Sequence, residues 1–310
     1  MNPEILHSLD VGAVFKETES RAVDVCFSAD SAAIGVGYED GSVFVIDPET
    51  AKITKTHRSH KYGLSHFAFL NSDYRGGLAI ATASPSLIVD HSIRIWDLNS
   101  NRFCRIFRNH ENDISNISPH SCDGILLSSS KADGITNMWD MRLDTSVWRH
   151  EGGVGSVGVF DRQFGSSTCV VSNPSKRQIL TFDSRILDRP LNQIQFNTAI
   201  DELVLFGNSH LLVGSCKLGT VTTISADTGK TISLYFMSPT QKFHLDISPC
   251  TNYALATTST NSIDIWDIKS RIKIKSLDKH GGPPIAKFSP KHTLIASASI
   301  PIALWVPIHS

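Results

Sequence analysis

Short runs of alternating apolar and polar residues recur along the chain, and several of them end in Trp-Asp. The three clearest runs are Ile93–Asp97, Ile135–Asp140 and Ile263–Asp267. Weaker copies end at Asp47, Asp183 and Asp227, and a last run reaches Trp305. Alternation with a period of two predicts β-strands, bounded by the turn residues between the runs.

The aspartates that close these runs lie 40 to 50 residues apart. A period near 43 residues is typical of a four-stranded propeller blade and is too long for ankyrin or tetratricopeptide repeats. Together with the last Trp run, the chain contains seven such units. Helical periodicity with capping signals is absent over any useful length. We therefore predict an all-β fold, a seven-bladed β-propeller that occupies residues 1–310 as a single domain.

The third repeat shows its four predicted strands most clearly. They lie at 113–118, 124–130, 135–139 and 146–149. The seventh repeat has only three predicted strands, so its sheet needs a fourth from elsewhere. The alternating segment at 12–16 can supply it, with Val14 and Phe15 pairing beside residues 303–305. Such pairing covers an open sheet edge and closes the ring.

Residues that resemble catalytic groups recur with the same period. A histidine precedes the innermost strand in four repeats, at His60, His110, His150 and His280. In the third repeat we assign a structural tetrad of His110, Ser130 (chosen among the serines at 128–130), Asp133 and Trp139. A Ser-His-Asp hydrolase needs only one copy of its triad. The recurrence favours a buried hydrogen-bond chain from Asp through His and Ser to the indole N–H. An enzyme on a propeller stays as the third reading.

Composition narrows the function further. Lys and Arg total 29 against 30 Asp and Glu, a net charge of −1, which disfavours direct sequence-specific binding of nucleic acid. The longest apolar stretches are short of the ~20 residues of a membrane helix, and the N-terminus lacks the pattern of a secretory signal. The six cysteines include no C-x-x-C pair. We predict an intracellular protein with no catalytic residue, cofactor or metal and no membrane contact.

A resemblance to a known family rests on seven segments, at 11–15, 60–63, 139–142, 279–283, 288–291, 296–298 and 305–307. These segments resemble the Swd-two type family, the WD-repeat subunits of the COMPASS histone-lysine methyltransferase complex. The resemblance implies a nuclear, non-catalytic scaffold for chromatin and transcription. Its implied partners are subunits of histone methyltransferase complexes, subunits of protein phosphatase complexes in transcription termination and RNA 3′-end processing, and the phosphorylated tail of RNA polymerase II. Repeats four and five lack the Trp-Asp ending, which indicates a diverged paralogue.

Three basic residues are candidate partner contacts. Arg58 and Lys61 lie in the loop before an innermost strand, where they would attract an acidic or phosphorylated peptide or simply face solvent. Arg142 follows Trp139-Asp140 in a W-D-x-R ending. In WD-repeat families this ending is associated with adaptors that dock on cullin ubiquitin ligases. A substrate receptor of such a ligase is therefore the alternative to the chromatin scaffold.

Overall fold

The seven predicted blades are present and closed into a ring. The structure is a computed structural model that describes residues 3–16, 18–58, 63–70, 79–84, 90–207, 210–215, 218–237, 244–257, 261–278 and 280–308. Its strands form seven antiparallel sheets of four strands each. The innermost strand of each sheet contacts the innermost strands of the two neighbouring sheets, all the way round. The all-β seven-bladed propeller is thus confirmed.

Each of the first six blades uses consecutive strands, ordered from the centre to the rim. Blades one to three comprise β2 Ala22–Phe27, β3 Ile34–Tyr38, β4 Ser42–Asp47 and β5 Lys52–Arg58; β6 His66–Phe69, β7 Ala79–Ala83, β8 Ile93–Asp97 and β9 Arg102–Phe107; β10 Asn116–Pro119, β11 Ile125–Ser130, β12 Ile135–Asp140 and β13 Ser146–Glu151. Blades four to six comprise β14 Gly158–Phe160, β15 Thr168–Asn173, β16 Gln178–Asp183 and β17 Asn192–Gln195; β18 Glu202–Phe206, β19 His210–Ser215, β20 Thr220–Ile224 and β21 Thr231–Phe236; β22 Leu245–Ile247, β23 Tyr253–Thr257, β24 Ile263–Asp267 and β25 Lys273–Leu277.

Blade seven joins the two ends of the chain. Its strands are β26 Ile285–Phe288, β27 Ile295–Ala298, β28 Ile302–Pro307 and, at the rim, β1 Leu9–Phe15. Val14 pairs with Ala303 and Phe15 with Ile302, antiparallel. The predicted closing strand is therefore confirmed. It begins earlier than expected, and Phe15 lies opposite Ile302, one residue outside the predicted partners 303–305. Because β1 covers the edge of β28, the ring has no broken seam between its first and last blades.

In the described part of the chain, two short helical segments accompany the strands. The helix α1 spans Pro3–His7, and its fully buried Leu6 packs with residues of blades six and seven. A single 3₁₀ turn spans Pro174–Lys176 in blade four. The sequence pattern does not predict α1, because five residues are too few to show helical periodicity. Lys275 donates from its Nζ to the carbonyl oxygen of His7 at 2.7 Å, which ties α1 to the rim of blade six.

The core lies between neighbouring blades. One cluster combines residues of blades two and three, including Phe107 and Trp139, whose rings stack at 4.9 Å between centroids. Another joins blades four and five through residues such as Val170 and Leu205. Second and third strands are buried on both faces, whereas outer strands such as β5 alternate between exposed and half-buried positions. Apolar side chains buried between neighbouring sheets therefore stabilise the packing of one blade against the next.

Candidate functional site

A buried chain of hydrogen-bonding side chains in blade three connects β11, β12, the turn between them and the loop before β10. Trp139 Nε1 donates to Ser128 Oγ at 2.8 Å, and Ser128 Oγ lies 2.7 Å from His110 Nε2. His110 Nδ1 lies 3.4 Å from Asp133 Oδ2, a long contact for a hydrogen bond. The side chains of all four residues, Trp139, Ser128, His110 and Asp133, are almost fully buried. The strands and loops of one blade are thereby joined through side chains.

The structure corrects the serine of the predicted tetrad. The hydroxyl between the imidazole and the indole belongs to Ser128, and Ser130 Oγ instead accepts from the backbone N–H of Asp133 at 3.3 Å. Trp139 pairs with Leu126 across the two strands. Its indole reaches the diagonal position two residues along, which is Ser128. Ser130 lies two residues further, beyond the reach of the ring.

Burial shifts the pKa values of the titratable side chains in this tetrad. Desolvation lowers the pKa of His110, and the nearby Asp133 carboxylate opposes that shift. Burial also acts on Asp133, but hydrogen bonds from Asn112 and from the backbone N–H of Glu111 outweigh it and lower the pKa of Asp133. Ser128 has no exposed surface. A nucleophile must reach its substrate, so this Ser-His-Asp arrangement cannot act as a hydrolase in the folded protein.

Other blades contain only parts of this tetrad. In blade seven Trp305 Nε1 donates to Ser297 Oγ at 2.7 Å, but both ring nitrogens of His280 are buried without a hydrogen-bond partner among the described residues. In blade two the indole N–H of Trp96 is likewise unpaired within the described ranges. His60 lies outside the described residues. Blade three thus holds the one complete tetrad that the described part of the chain contains.

The candidate partner contacts lie on the exposed surface. The side chain of Arg142 is 81 % exposed, and its guanidinium folds back on Asp140, with Nη2 2.6 Å from Oδ2. Arg185 holds Asp183 in the same way in blade four, at 2.7 Å. Arg58 is exposed and lies 3.9 Å from Asp40, and Lys61 lies outside the described residues. The three residues therefore do not form a common described cluster, and their role in binding stays a prediction.

A central channel holds charged groups that the sequence pattern did not single out. It has a volume of about 290 Å³ and is lined by innermost strands. Arg162, which lines the channel, pairs with the fully buried Asp246 behind the channel wall. The second carboxylate oxygen of Asp246 accepts from the backbone N–H of Phe288 at 2.6 Å. Lys287 donates to the carbonyl oxygen of Leu245 at 2.9 Å, and burial lowers the pKa of Lys287. These contacts link blades four, six and seven through the axis.

One signal of the channel was present in the sequence. Asp246 interrupts the apolar run Leu245–Ile247, and Lys287 interrupts Ile285–Phe288, both in innermost strands. A charged residue in such a strand must face either a partner or a solvent-filled channel, because a lone buried charge is costly.

Comparison with known proteins agrees with the repeat geometry. The family profile "WD domain, G-beta repeat" of the WD40 repeat matches residues 101–140, which include the third strand of blade three and its Trp139-Asp140 ending. One repeat of this seven-bladed β-propeller thus matches the WD40 repeat family. Its sequence is similar over 315 residues to the WD repeat-containing protein 82 of Drosophila melanogaster, with 21 % identity over 98 % of this chain and 96 % of that protein.

Two further relatives differ in how much they cover. Protein ANTHESIS POMOTING FACTOR 1 of Arabidopsis thaliana is 21 % identical over 98 % of this chain and 92 % of its own length. Pre-mRNA-processing factor 19 of Mus musculus is 30 % identical over 125 residues, which are 40 % of this chain and 22 % of that protein. The first two similarities therefore span nearly the whole chain at low identity, whereas the third covers less than half of it.

None of the helices described is long and apolar enough to cross a membrane. No group of three or more His, Cys, Asp or Glu within the described ranges is arranged to hold a metal ion.

Proposed function

We propose that this WD-repeat protein is a non-catalytic scaffold subunit of nuclear complexes, on whose surface peptide segments of other subunits dock. The observation that carries the proposal is the use of the Ser-His-Asp groups as internal contacts: Ser128 is buried, and its hydroxyl is occupied by the indole N–H and the imidazole. The surfaces that remain accessible to other proteins are the exposed loops, the rims and the grooves between blades. Such surfaces serve recognition rather than turnover.

The identity of the complexes rests on similarity. The segments that resemble the Swd-two family favour a histone-lysine methyltransferase complex of the COMPASS type, and a protein phosphatase complex in transcription termination and RNA 3′-end processing. The full-length similarity to the WD repeat-containing protein 82 supports a relationship of this kind, and the name of pre-mRNA-processing factor 19 supports an RNA-processing setting. The phosphorylated tail of RNA polymerase II is a further proposed ligand. We accordingly place the protein in the nucleus.

Affinity purification tests this proposal. The chain, tagged and produced at its native level, is purified from nuclei, and the bound proteins are identified by mass spectrometry. We expect subunits of a histone methyltransferase complex, of a phosphatase complex or of both, in amounts comparable with the tagged chain. Recovery of the chain alone from nuclei, or its absence from nuclei, would contradict the proposal.

A second candidate function is that of a substrate receptor for a cullin-type ubiquitin ligase. It is favoured by the exposed Arg142, whose orientation is fixed by two contacts with the Asp140 carboxylate. Arg142→Ala tests it, and Arg185→Ala is the matched control because Asp183 holds Arg185 in the same geometry. If the function is that of a receptor, Arg142→Ala removes the cullin adaptor from the purified material and Arg185→Ala leaves it. The scaffold function predicts the same bound subunits for both variants.

A further inference from the structure

The outer strand of blade five, β21, is an edge strand without charged residues. Among the seven outer strands of the described ring, β17 is the only other such strand, and it has four residues against six in β21. Charged side chains on an edge strand discourage pairing with further strands, so the edge of β21 lacks a protection that most blades have. The charged residues of the other outer strands are Asp10 on β1, Lys52, Lys55 and Arg58 on β5, Arg102 and Arg105 on β9, Arg149 and Glu151 on β13, and Lys273 and Lys275 on β25.

The outward backbone groups of β21 lie at Leu234 and Phe236. The N–H of Met237 donates to the carbonyl oxygen of Gly219, just before β20, at 2.7 Å. Because successive residues of an antiparallel strand direct their backbone groups to opposite sides, Tyr235 also faces β20, whereas Leu234 and Phe236 direct their N–H and C=O groups away from it. No described residue hydrogen-bonds to these outward groups. An extended polypeptide presents donors and acceptors at the spacing that such an edge requires.

The side chains of the same two residues form an exposed apolar pair. Leu234 is 40 % exposed and Phe236 is 73 % exposed. Leu234 lies opposite Thr222, and Thr222 lies opposite Val213, which packs in the core between blades four and five. Residues opposite each other across strands project from the same face of a sheet, and residues two apart in one strand do so as well. Leu234 and Phe236 therefore extend the apolar face that blade five turns towards blade four out to the rim.

Contacts with blade six hold β21 in place from its other face. Tyr235 is buried, its ring packs on Trp266 with centroids 5.1 Å apart, and its hydroxyl donates to the carbonyl oxygen of Asp267 at 3.2 Å. Near the start of the strand, Arg271 Nη2 donates to the carbonyl oxygen of Ile232 at 3.2 Å. The second half of β21 is thus an open edge on a strand that is already ordered. Binding there does not have to fix the conformation of the edge, which lowers the entropic cost.

The size of the edge favours a segment of another protein over a second copy of this chain. Pairing of β21 with β21 of another copy engages a strand of six residues on each side. Specific dimers are formed by about 20–30 residues a side. A second ring meets the edge with its own rim, whereas a single segment can follow the strand and also cover the apolar side chains of Leu234 and Phe236.

We propose that the edge of β21 binds an extended, uncharged segment of a partner protein, which adds to blade five as a fifth strand. The backbone of the segment hydrogen-bonds with the N–H and C=O groups of Leu234 and Phe236. Large apolar side chains at alternate positions of the segment pack beside the side chains of these two residues, because alternate positions of a strand share one face. The proposal rests on the scaffold function and deepens it by naming a docking surface and the class of segment that it recognises.

A peptide selection tests the edge. A phage-displayed library of random twelve-residue peptides is selected on the whole protein and depleted on Leu234→Lys, which places a charge on β21 as on most other outer strands. The matched control, Val147→Lys, makes a similar change on β13 at a residue that is 44 % exposed. We expect selected peptides with large apolar residues at alternate positions and no charge between them. Their affinity should fall about tenfold or more for Leu234→Lys and stay unchanged for Val147→Lys.

Two measurements distinguish strand addition from docking by side chains alone. N-methylation of a selected peptide, one residue at a time, should weaken binding strongly at every second residue and little at the residues between, because only alternate N–H groups face β21. Amide hydrogen exchange, followed by NMR, should be fast at Leu234 and Phe236 in the free protein and slow in the complex. The amide of Tyr235, which already faces β20, should exchange slowly in both.

Four results would overturn the proposal. They are a selection that yields no peptide dependent on Leu234, a methylation profile without alternation, amides of Leu234 and Phe236 that stay unprotected in the complex, and a dimer of the purified parent that Leu234→Lys dissociates. The dimer, detected by sedimentation equilibrium, would assign the edge to a second copy of the chain.

Failure of strand addition and failure of the scaffold function give different results. Leu234→Lys, tagged and purified from nuclei, should lose a subset of the bound subunits, and Val147→Lys should retain them all. If the peptide selection fails and Leu234→Lys retains every subunit of the parent, the strand-addition proposal is wrong and the scaffold function stands. If the parent itself recovers no subunits, the scaffold function is wrong.

Discussion

Replacing Ser128 by alanine removes the group on which the tetrad of blade three depends. The change deletes the acceptor of the Trp139 indole N–H, which lies 2.8 Å from Oγ, and the 2.7 Å partner of His110 Nε2. The indole N–H is left buried without a partner. His110 Nε2 keeps a weaker contact with the side chain of Asn137 at 3.3 Å. One orphaned donor and one weakened contact together cost about 2–3 kcal/mol of folding free energy.

Ser130→Ala is the matched control, because it removes a fully buried hydroxyl from the same strand. Ser130 Oγ accepts one long hydrogen bond of 3.3 Å from the backbone N–H of Asp133. Its loss should cost about 0.5–1 kcal/mol. The expected difference between the two variants is therefore about 2 kcal/mol, and it distinguishes Ser128 from Ser130 as the tetrad serine.

Equilibrium unfolding in urea, followed by tryptophan fluorescence, measures both variants. Ser128→Ala should lower the unfolding midpoint well below that of Ser130→Ala, with an unchanged dependence on urea concentration, since neither substitution alters the surface exposed on unfolding. In a thermal scan the same 2–3 kcal/mol corresponds to roughly 3–5 °C for a chain of this size. Equal midpoints, or a larger loss for Ser130→Ala, would refute the reasoning about the indole and the imidazole.

Three further predictions test the closing strand, the channel and the response to acid. Phe15→Asp should destabilise the protein by roughly 1–3 kcal/mol and speed limited proteolysis, because Phe15 packs on the core between blades seven and one. Val14→Asp, at a position 55 % exposed, should change the stability little, and equal sensitivity of the two variants would contradict the register. Arg162→Met should lower the free energy of unfolding in urea by about 3–5 kcal/mol, since it leaves the buried Asp246 carboxylate uncompensated; a loss below about 1 kcal/mol would argue against a buried pair. Burial lowers the pKa of His280 to about 4, below its unfolded value of 6.5. Because the unfolded state then binds more protons, the free energy of unfolding falls as the pH drops from 6.5 towards 4. His280→Phe should make the unfolding midpoint less sensitive to pH in that window, and an identical pH profile would refute the assignment of this pH dependence to His280.

The repeat and the closure of the ring could be predicted because both produce patterns in short stretches of the sequence. The Trp-Asp endings fix the third strand of a blade, and the alternating segment with Val14 and Phe15 matches the missing strand of blade seven. The tetrad was predicted in type but not in its serine. Ser128 and Ser130 lie on the same face of one strand and are both fully buried, so only the position of the indole across the sheet distinguishes them.

The ion pair beside the channel cannot be predicted from local sequence patterns. Arg162 and Asp246 are 84 residues apart, on different blades, and their contact depends on the shape of the whole ring.

The most direct test of the scaffold function is the native size of the protein in nuclear extract. The tagged chain, kept at its normal level, is separated by sedimentation and probed beside the purified chain of 34.0 kDa. We predict that the protein in the extract sediments as a particle several times heavier than the purified chain and together with methyltransferase or phosphatase subunits. Sedimentation of all the protein with the lone chain would contradict the account.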